Sequence, residues 1–189
     1  MVILKEIRKK AGRYVLNHRI SKFSRQKEFI GIQAALTIGI LFHHIDNDSL
    51  RSVQDFIKKL TKEGKHVIAV GYIDTKEIPD FYLLKRGFDF FCLKDLNWHY
   101  KPEAEFIQDF ADREFDLLIN LSMDNFFPLE YIYALSRAKF KVGRYTPGYD
   151  YDDMTIDISD NRDINFLIQQ IGHYLSLIKS KPQAKTDYV

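Results

Sequence analysis

The sequence holds one cysteine, Cys92, in 189 residues. No disulfide can close within the chain, and no zinc site built from several thiolates can form. Set among the apolar residues 88–93, this thiol reads as a buried, inert one. Long hydrophobic runs are missing too: the apolar segment around residues 38–42 falls far short of the roughly 20 residues that a bilayer span requires. The opening Met-Val-Ile-Leu turns charged at Lys5, Glu6 and Arg8, without the apolar core of a signal peptide, so the expected location is the cytoplasm. No glycine lies in residues 43–49, which follow the first strand of the reading below. That excludes a G-x-G-x-x-G cradle for the pyrophosphate of NAD or FAD. A Walker A lysine loop and a G-x-S-x-G nucleophile elbow are likewise missing. The sequence names no cofactor.

What is present is an ordinary globular composition, 46% hydrophobic and 29% charged, sized for one domain with a sizeable core. Charge is unevenly placed. Residues 1–30 carry nine lysines and arginines against Glu6 and Glu28, a net +7, and the remainder carries −5. Residues 2–20 repeat apolar side chains at Ile3, Ile7, Ala11, Tyr14 and Val15, with Lys5, Arg8, Lys9 and Arg13 elsewhere around the turn. This predicts an amphipathic basic helix, followed by a polar connection at 21–27. Lys5, Arg8, Lys9 and Arg13 are its candidate partner-binding residues, facing a protein or nucleic acid. Membrane contact is weakened by the lack of Trp or Phe on its apolar side. Alternatively, the stripe packs on the domain or on a second copy, making a homodimer.

From Ala34 a continuous apolar run to Phe42 suits a strand covered on both faces. Asp48 or Ser49 then offers a cap for a helix bearing Leu50, Val53, Ile57 and Leu60, closed by Glu63-Gly64. Apolar strands follow at 66–72, 88–93, 116–122 and 140–145, and an edge strand at 154–158. Helices are expected at 78–86, at 102–113 with Pro102 in the first turn, at 128–137, and at 164–178. Alternating strands and helices predict a three-layer Rossmann-like α/β domain with a mostly parallel sheet. The expected organisation is a helical extension at 1–30, the α/β domain at 31–180 and a polar tail at 181–189.

In such sheets ligands sit beyond the carboxyl ends of the strands. The candidates there are His43, His44, Asp46 and Asp48; Asp74; Asp95; and Ser122, Asp124 and Asn125. His43, His44 and Asp46 could exchange protons or hold a cation, but their spacing matches no metal motif; otherwise Asp48 caps a helix and the rest are solvated. Asp74 stands where a Rossmann carboxylate holds a ribose, or serves as a turn or cap. Ser122, Asp124 and Asn125 precede a helix whose free N–H groups could hold an anion, or they cap it. Trp98, His99 and Tyr100 could stack on a base or sugar ring, or anchor a loop. Tyr149, Tyr151 and the intervening aspartates read as a surface loop.

The stretch Phe115-Asp-Leu-Leu-Ile-Asn-Leu, followed by Tyr133-Ala-Leu-Ser-Arg-Ala-Lys-Phe-Lys-Val-Gly143-Arg, resembles the N-terminal half of heptosyltransferase-type glycosyltransferases. That resemblance implies a Rossmann-like fold. It also implies an alternative activity, a remnant or partner-completed enzyme that binds a sugar phosphate or nucleotide at the strand ends. Over its full length, with residues 127–144 as the most recognisable block, the chain is also similar to a family of small uncharacterised Bacteroidetes proteins. That family has no assigned activity and contributes no catalytic residues. Together these readings lead to a non-catalytic binding or interaction module as the expected function.

Overall fold

The computed structural model describes residues 2–44, 46–83 and 87–178. The expected tail at 181–189 and the end of the helix expected at 78–86 lie outside the described residues. Six strands form one sheet in the order β3-β2-β1-β4-β5-β6: β1 (Thr37–His43), β2 (His66–Ile73), β3 (Asp89–Cys92), β4 (Leu117–Asn120), β5 (Phe140–Arg144) and β6 (Met154–Ile156). Every neighbouring pair is parallel, so the sheet is wholly parallel where the sequence promised a mostly parallel one. The chain runs outward from β1 to one edge, then returns to β4 on the other side, so the topological switch lies between β1 and β4.

Side chains alternate across the strands and fill two cores. Ile38, Ile40 and Phe42 of β1 pack with Leu50, Val53, Phe56 and Leu60 of α2 (Asn47–Lys62) and with Leu167, Ile171 and Leu175 of α6 (Ile164–Leu177). Leu41, on the opposite face, packs with Ile107 and Phe110 of α4 (Glu105–Asp112) and with Leu129 and Ile132 of α5 (Phe127–Leu135). The short α3 (Asp80–Leu83) precedes β3. Between β3 and α4, Leu96 and Pro102 form an antiparallel bridge, so Pro102 lies outside the helix that the sequence assigned to it.

All residues of α5 from Pro128 to Leu135 are buried, because one side meets the sheet and the other meets α1 (Val2–Ile20). A helix apolar all round needs such double cover. Leu16, fully enclosed, packs with Tyr131, Ala134 and Leu135 of α5. Gly12 makes the close approach possible, since a Cβ there would lie 2.3 Å from the His99 carbonyl oxygen and 2.8 Å from the Phe127 ring. The inward face of α1 therefore runs through Gly12, Val15 and Leu16. Ile7 and Tyr14, which would face the domain if the whole periodic stripe packed on it, are exposed. The cause is that α5 selects the face that lets the backbones approach, and the apolar pattern alone does not register this.

Candidate functional site

The strand ends form a continuous rim. His43 closes β1, stacks on Phe126 at 3.7 Å between ring centres, and lies beside Tyr72 of β2 in the sheet register. Tyr72 donates its hydroxyl to Asp74 (2.9 Å), so two of the expected residues, His43 and Asp74, meet across one tyrosine. His44 turns the other way and bonds through Nε2 to the Tyr82 hydroxyl at 2.6 Å. Burial holds both imidazoles below their ordinary value, which leaves them neutral at pH 7. Neither is an electrostatic anchor for an anion there.

Asp46 is the cap of α2, accepting from the Ser49 amide at 2.7 Å, where the sequence placed Asp48 or Ser49 in that role. The backbone N–H bond holds its carboxyl below the usual range. Asp48 sits inside the first turn. Asp95 accepts from the Cys92 amide (2.8 Å). The Cys92 thiol is buried, as expected, and is pushed up by desolvation.

After β4 the chain gathers the remaining candidates around two arginines. Arg144, at the end of β5, donates to the Asn125 side-chain oxygen (2.6 Å) and to the Ser122 carbonyl (3.3 Å). Arg162 donates to Asp124 (2.8 Å) and to the Met123 carbonyl (2.7 Å). Burial and the neighbouring Arg162 push the Arg144 guanidinium down. The Ser122 hydroxyl is buried and has no partner among the described residues. It opens on a small cavity, about 10 Å³, shared with Asn120, Arg144 and Tyr149. The crevice at the switch point, about 300 Å³, is lined by Asp46, Met123, Asp124, Arg162 and Asp163. The structure thus joins Ser122 to Asn125 through Arg144, and Asp46 to Asp124 across this crevice. Among the described residues no cluster of three or more His, Cys, Asp or Glu side chains is placed to hold a metal ion.

Arg144, Arg162, Tyr72 and Phe126 were missed by the reading of the sequence. For Arg144 a signal existed, because it directly follows the apolar core of β5 as the other candidates follow theirs. Arg162 lies far along the chain from β4, and no local pattern links them.

The basic helix divides its cations. Arg8 donates to the Trp98 carbonyl and lies over the Tyr100 ring at 4.3 Å. Arg13 forms a bidentate pair with Glu130, and Arg19 donates to the Tyr131 hydroxyl (2.9 Å). Beyond the helix, Arg25 and Lys27 both reach Asp153. Of the four expected partner-binding residues, Arg8 and Arg13 therefore bind the chain's own domain. Lys5 and Lys9 are exposed with Lys10, and Lys9 sits 3.6 Å from Glu6. The acidic aromatic stretch at 149–153 is the other half of this seam and no free surface loop: Tyr151 donates to Glu130, and Asp152 accepts from the Tyr133 hydroxyl.

Comparison with known proteins gives a family model described as a family of unknown function (DUF6913), which matches residues 8–178. No curated protein matches the chain. Among solved structures, E. coli heptosyltransferase WaaC with ADP is similar at a TM-score of 0.48 and 6% identity, covering 77% of this chain. The aligned part spans 49% of that protein, about half its length. No helix among the described residues is long and apolar enough to cross a membrane.

Proposed function

The chain belongs to the DUF6913 family, whose function is unknown, and from its own residues we propose that it is a non-catalytic binding module presenting the exposed lysines of α1 to a negatively charged partner. One observation carries this reading. With α1 docked on α5, its arginines turn inward, whereas Lys5, Lys9 and Lys10, and on another side of the helix Leu4, Ile7 and Tyr14, stay in solvent. Exposed lysines, of which Lys9 is paired with Glu6, together with exposed apolar groups make a helix surface fit for binding. At the strand ends, by contrast, Asp46, Asp74, Asp124, Asn125 and His44 are each bonded to a structural partner.

Retention on immobilised heparin, a soluble-polyanion probe, tests the reading. Lys5→Gln, Lys9→Gln and Lys10→Gln together should lower the salt needed for elution, whereas the same charge loss at Lys59, Lys62 and Lys94 should not. Equal elution of both triple variants would remove the proposal.

A second reading rests on the unpartnered Ser122 hydroxyl beside Arg144. It is the alternative of a sugar phosphate or nucleotide held at the strand ends, with Ser122, Asn125 and the start of α5 around it. α5 begins without a side-chain cap and with Pro128, which has no N–H, in its first turn, so the amides of Phe127 and Leu129 are those that an anion there would meet. A thermal-shift screen with nucleotides and sugar phosphates checks it: a ligand that raises the midpoint of the wild type and fails with Arg144→Ala supports it. A screen without any shift rejects it.

A further inference from the structure

Three helices end around one cleft of about 240 Å³. Arg19, in the last turn of α1, and Lys22, just beyond it, line the cleft together with Asp112, the last residue of α4, and Arg137, two residues past α5. All four are exposed and form its rim. The floor is apolar, with Ile107 and Ala111 of α4 and Ile132 and Leu135 of α5 buried beneath. Residues 19, 22, 112 and 137 are distant in the sequence, and the docking of α1 on α5 brings them to one place.

Three cations meet one carboxylate there. Asp112 is already engaged: it accepts from the Gln108 side-chain amide at 2.9 Å and lies 3.7 Å from the Arg137 Nε. Arg19 spends one nitrogen on the Tyr131 hydroxyl, and the Lys22 ammonium has no bonded partner among the described residues. Cations near helix C-termini ordinarily complement the backbone carbonyls there. These carbonyls are otherwise served. The amides of Ser21, Lys22 and Phe23 close the last turn of α1, the Arg137 amide bonds to the Ala111 carbonyl of α4 at 3.0 Å, and the Lys141 ammonium holds the Tyr133 and Ala134 carbonyls of α5. The rim therefore keeps a formal charge of +2 that none of these bonds absorbs.

We infer that this cleft is a binding site for a small phosphorylated molecule, its phosphate held among Arg19, Lys22 and Arg137. A phosphate monoester carries a charge of about −1.5 to −2 at neutral pH, which matches the surplus. Guanidinium groups offer its oxygens paired donors in a fixed fork. The cleft is smaller than the roughly 300–1,000 Å³ of sites for drug-sized ligands, so its occupant is small. The half-buried Phe23, also in the lining, gives the body of the ester a ring to pack on. A second cleft of about 220 Å³ shares Arg137, but two of its cations, Arg25 and Lys139, are already bonded to Asp153 and Asp116. The inferred site has no lining residue in common with the small cavity at Ser122 and Arg144, and none of the exposed α1 lysines lines it.

Calorimetric titration of the intact chain with inorganic phosphate, phenyl phosphate and phenol tests the inference. Both phosphates should bind, the ester more tightly, and phenol should not. Lys22→Gln and Arg137→Gln should each weaken phenyl phosphate on the order of tenfold, the loss of about one charge-assisted bond. Asp112→Asn should tighten it roughly threefold, because it removes the one opposing charge. Lys62→Gln, on α2, should change nothing. All these side chains are exposed, and an unchanged melting temperature verifies that the variants fold.

Absence of binding by either phosphate overturns the inference. Phenol binding as tightly as phenyl phosphate does so too, because the apolar floor and not the charge then selects the ligand. Binding that survives Lys22→Gln with Arg137→Gln and is abolished by Arg144→Ala moves the phosphate to the strand ends and sinks this site. A loss that Asp112→Asn shares with the cation variants shows that these residues hold the shape of the cleft and do not meet a ligand.

Discussion

Arg13 meets Glu130 through both nitrogens of its guanidinium, and the carboxylate it holds belongs to the most enclosed helix of the fold. Glu130 is 5% exposed and has one other partner among the described residues, the Tyr151 hydroxyl at 3.1 Å. The pairing holds the arginine's pKa above its usual value. A carboxylate in that position needs a cation, and α1 brings it.

Replacing Arg13 with alanine leaves Glu130 enclosed with two of its three side-chain hydrogen bonds lost. The expected cost is about 1–3 kcal/mol, below that of a fully buried pair because Arg13 is half exposed. Arg13→Lys should recover part of it, since an ammonium supplies charge but no two-pronged contact. Urea unfolding measures both. A midpoint unmoved by Arg13→Ala would show that α1 is an appendage to the domain and not part of its core.

Lys141 gives a pH dependence whose sign follows from its surroundings. The residue is 1% exposed, and its ammonium donates to the carbonyls of Tyr133 (2.6 Å) and Ala134 (3.2 Å) in the last turn of α5. Desolvation, with Arg25 nearby, pushes its pKa down to about 7, against an opposing pull from Asp153 and Asp152. Above that value the folded chain has lost a proton that the unfolded chain still holds. This group's contribution to stability therefore rises with pH from about 7 towards the ordinary lysine range, by up to about 1.4 kcal/mol per pH unit; it is lost as pH falls across that window and no longer changes below about 7. Chemical denaturation across pH 7 to about 10 should show that slope in the wild type and a flatter one in Lys141→Met. Parallel curves would assign the slope to other groups.

Much of this architecture was legible from the residues because a parallel sheet announces itself in continuous apolar runs. The segment around Ile38–Phe42 is central on physical grounds: both of its faces are apolar, and it pairs with β2 and β4. The inward face of α1 was not legible, because it is decided by Gly12 and Leu16, one of which has no side chain to count. The rim was half legible. Proximity to a strand end identified His43, Asp74 and Asn125; Tyr72 lies only two residues before Asp74, yet Phe126 and Arg144, the partners of His43 and Asn125, come from other parts of the chain, where only the folded register sets the distance.

The cap of α2 shows the same limit at short range. Asp46 has extended backbone, accepts from the Ser49 amide, and is followed by Asn47 as the first helical residue. Asp46→Ala should cost about 1 kcal/mol and Asp46→Asn much less, since asparagine caps as well. Asp48→Ala should leave the unfolding midpoint almost where it was. An equal loss for Asp46 and Asp48 would mean that charge near the helix start, and not the side-chain bond, does the work.

Ser122 makes the last expectation run against the usual direction of core mutations. Its residue is 5% exposed, its hydroxyl is unpartnered among the described residues, and its amide already bonds to the Asn120 side chain at 3.1 Å. A buried hydroxyl without a partner costs about 1–3 kcal/mol relative to one that is satisfied, whereas a methyl group in the same place carries no such penalty. Ser122→Ala should therefore raise the thermal midpoint, corresponding to about 0.5–2 kcal/mol. If the hydroxyl serves a ligand beside Arg144, the same variant should gain stability and lose any nucleotide-induced or sugar-phosphate-induced shift. A lowered midpoint would show instead that an ordered water satisfies the group, and that Ser122 belongs to the packing of the β4 end.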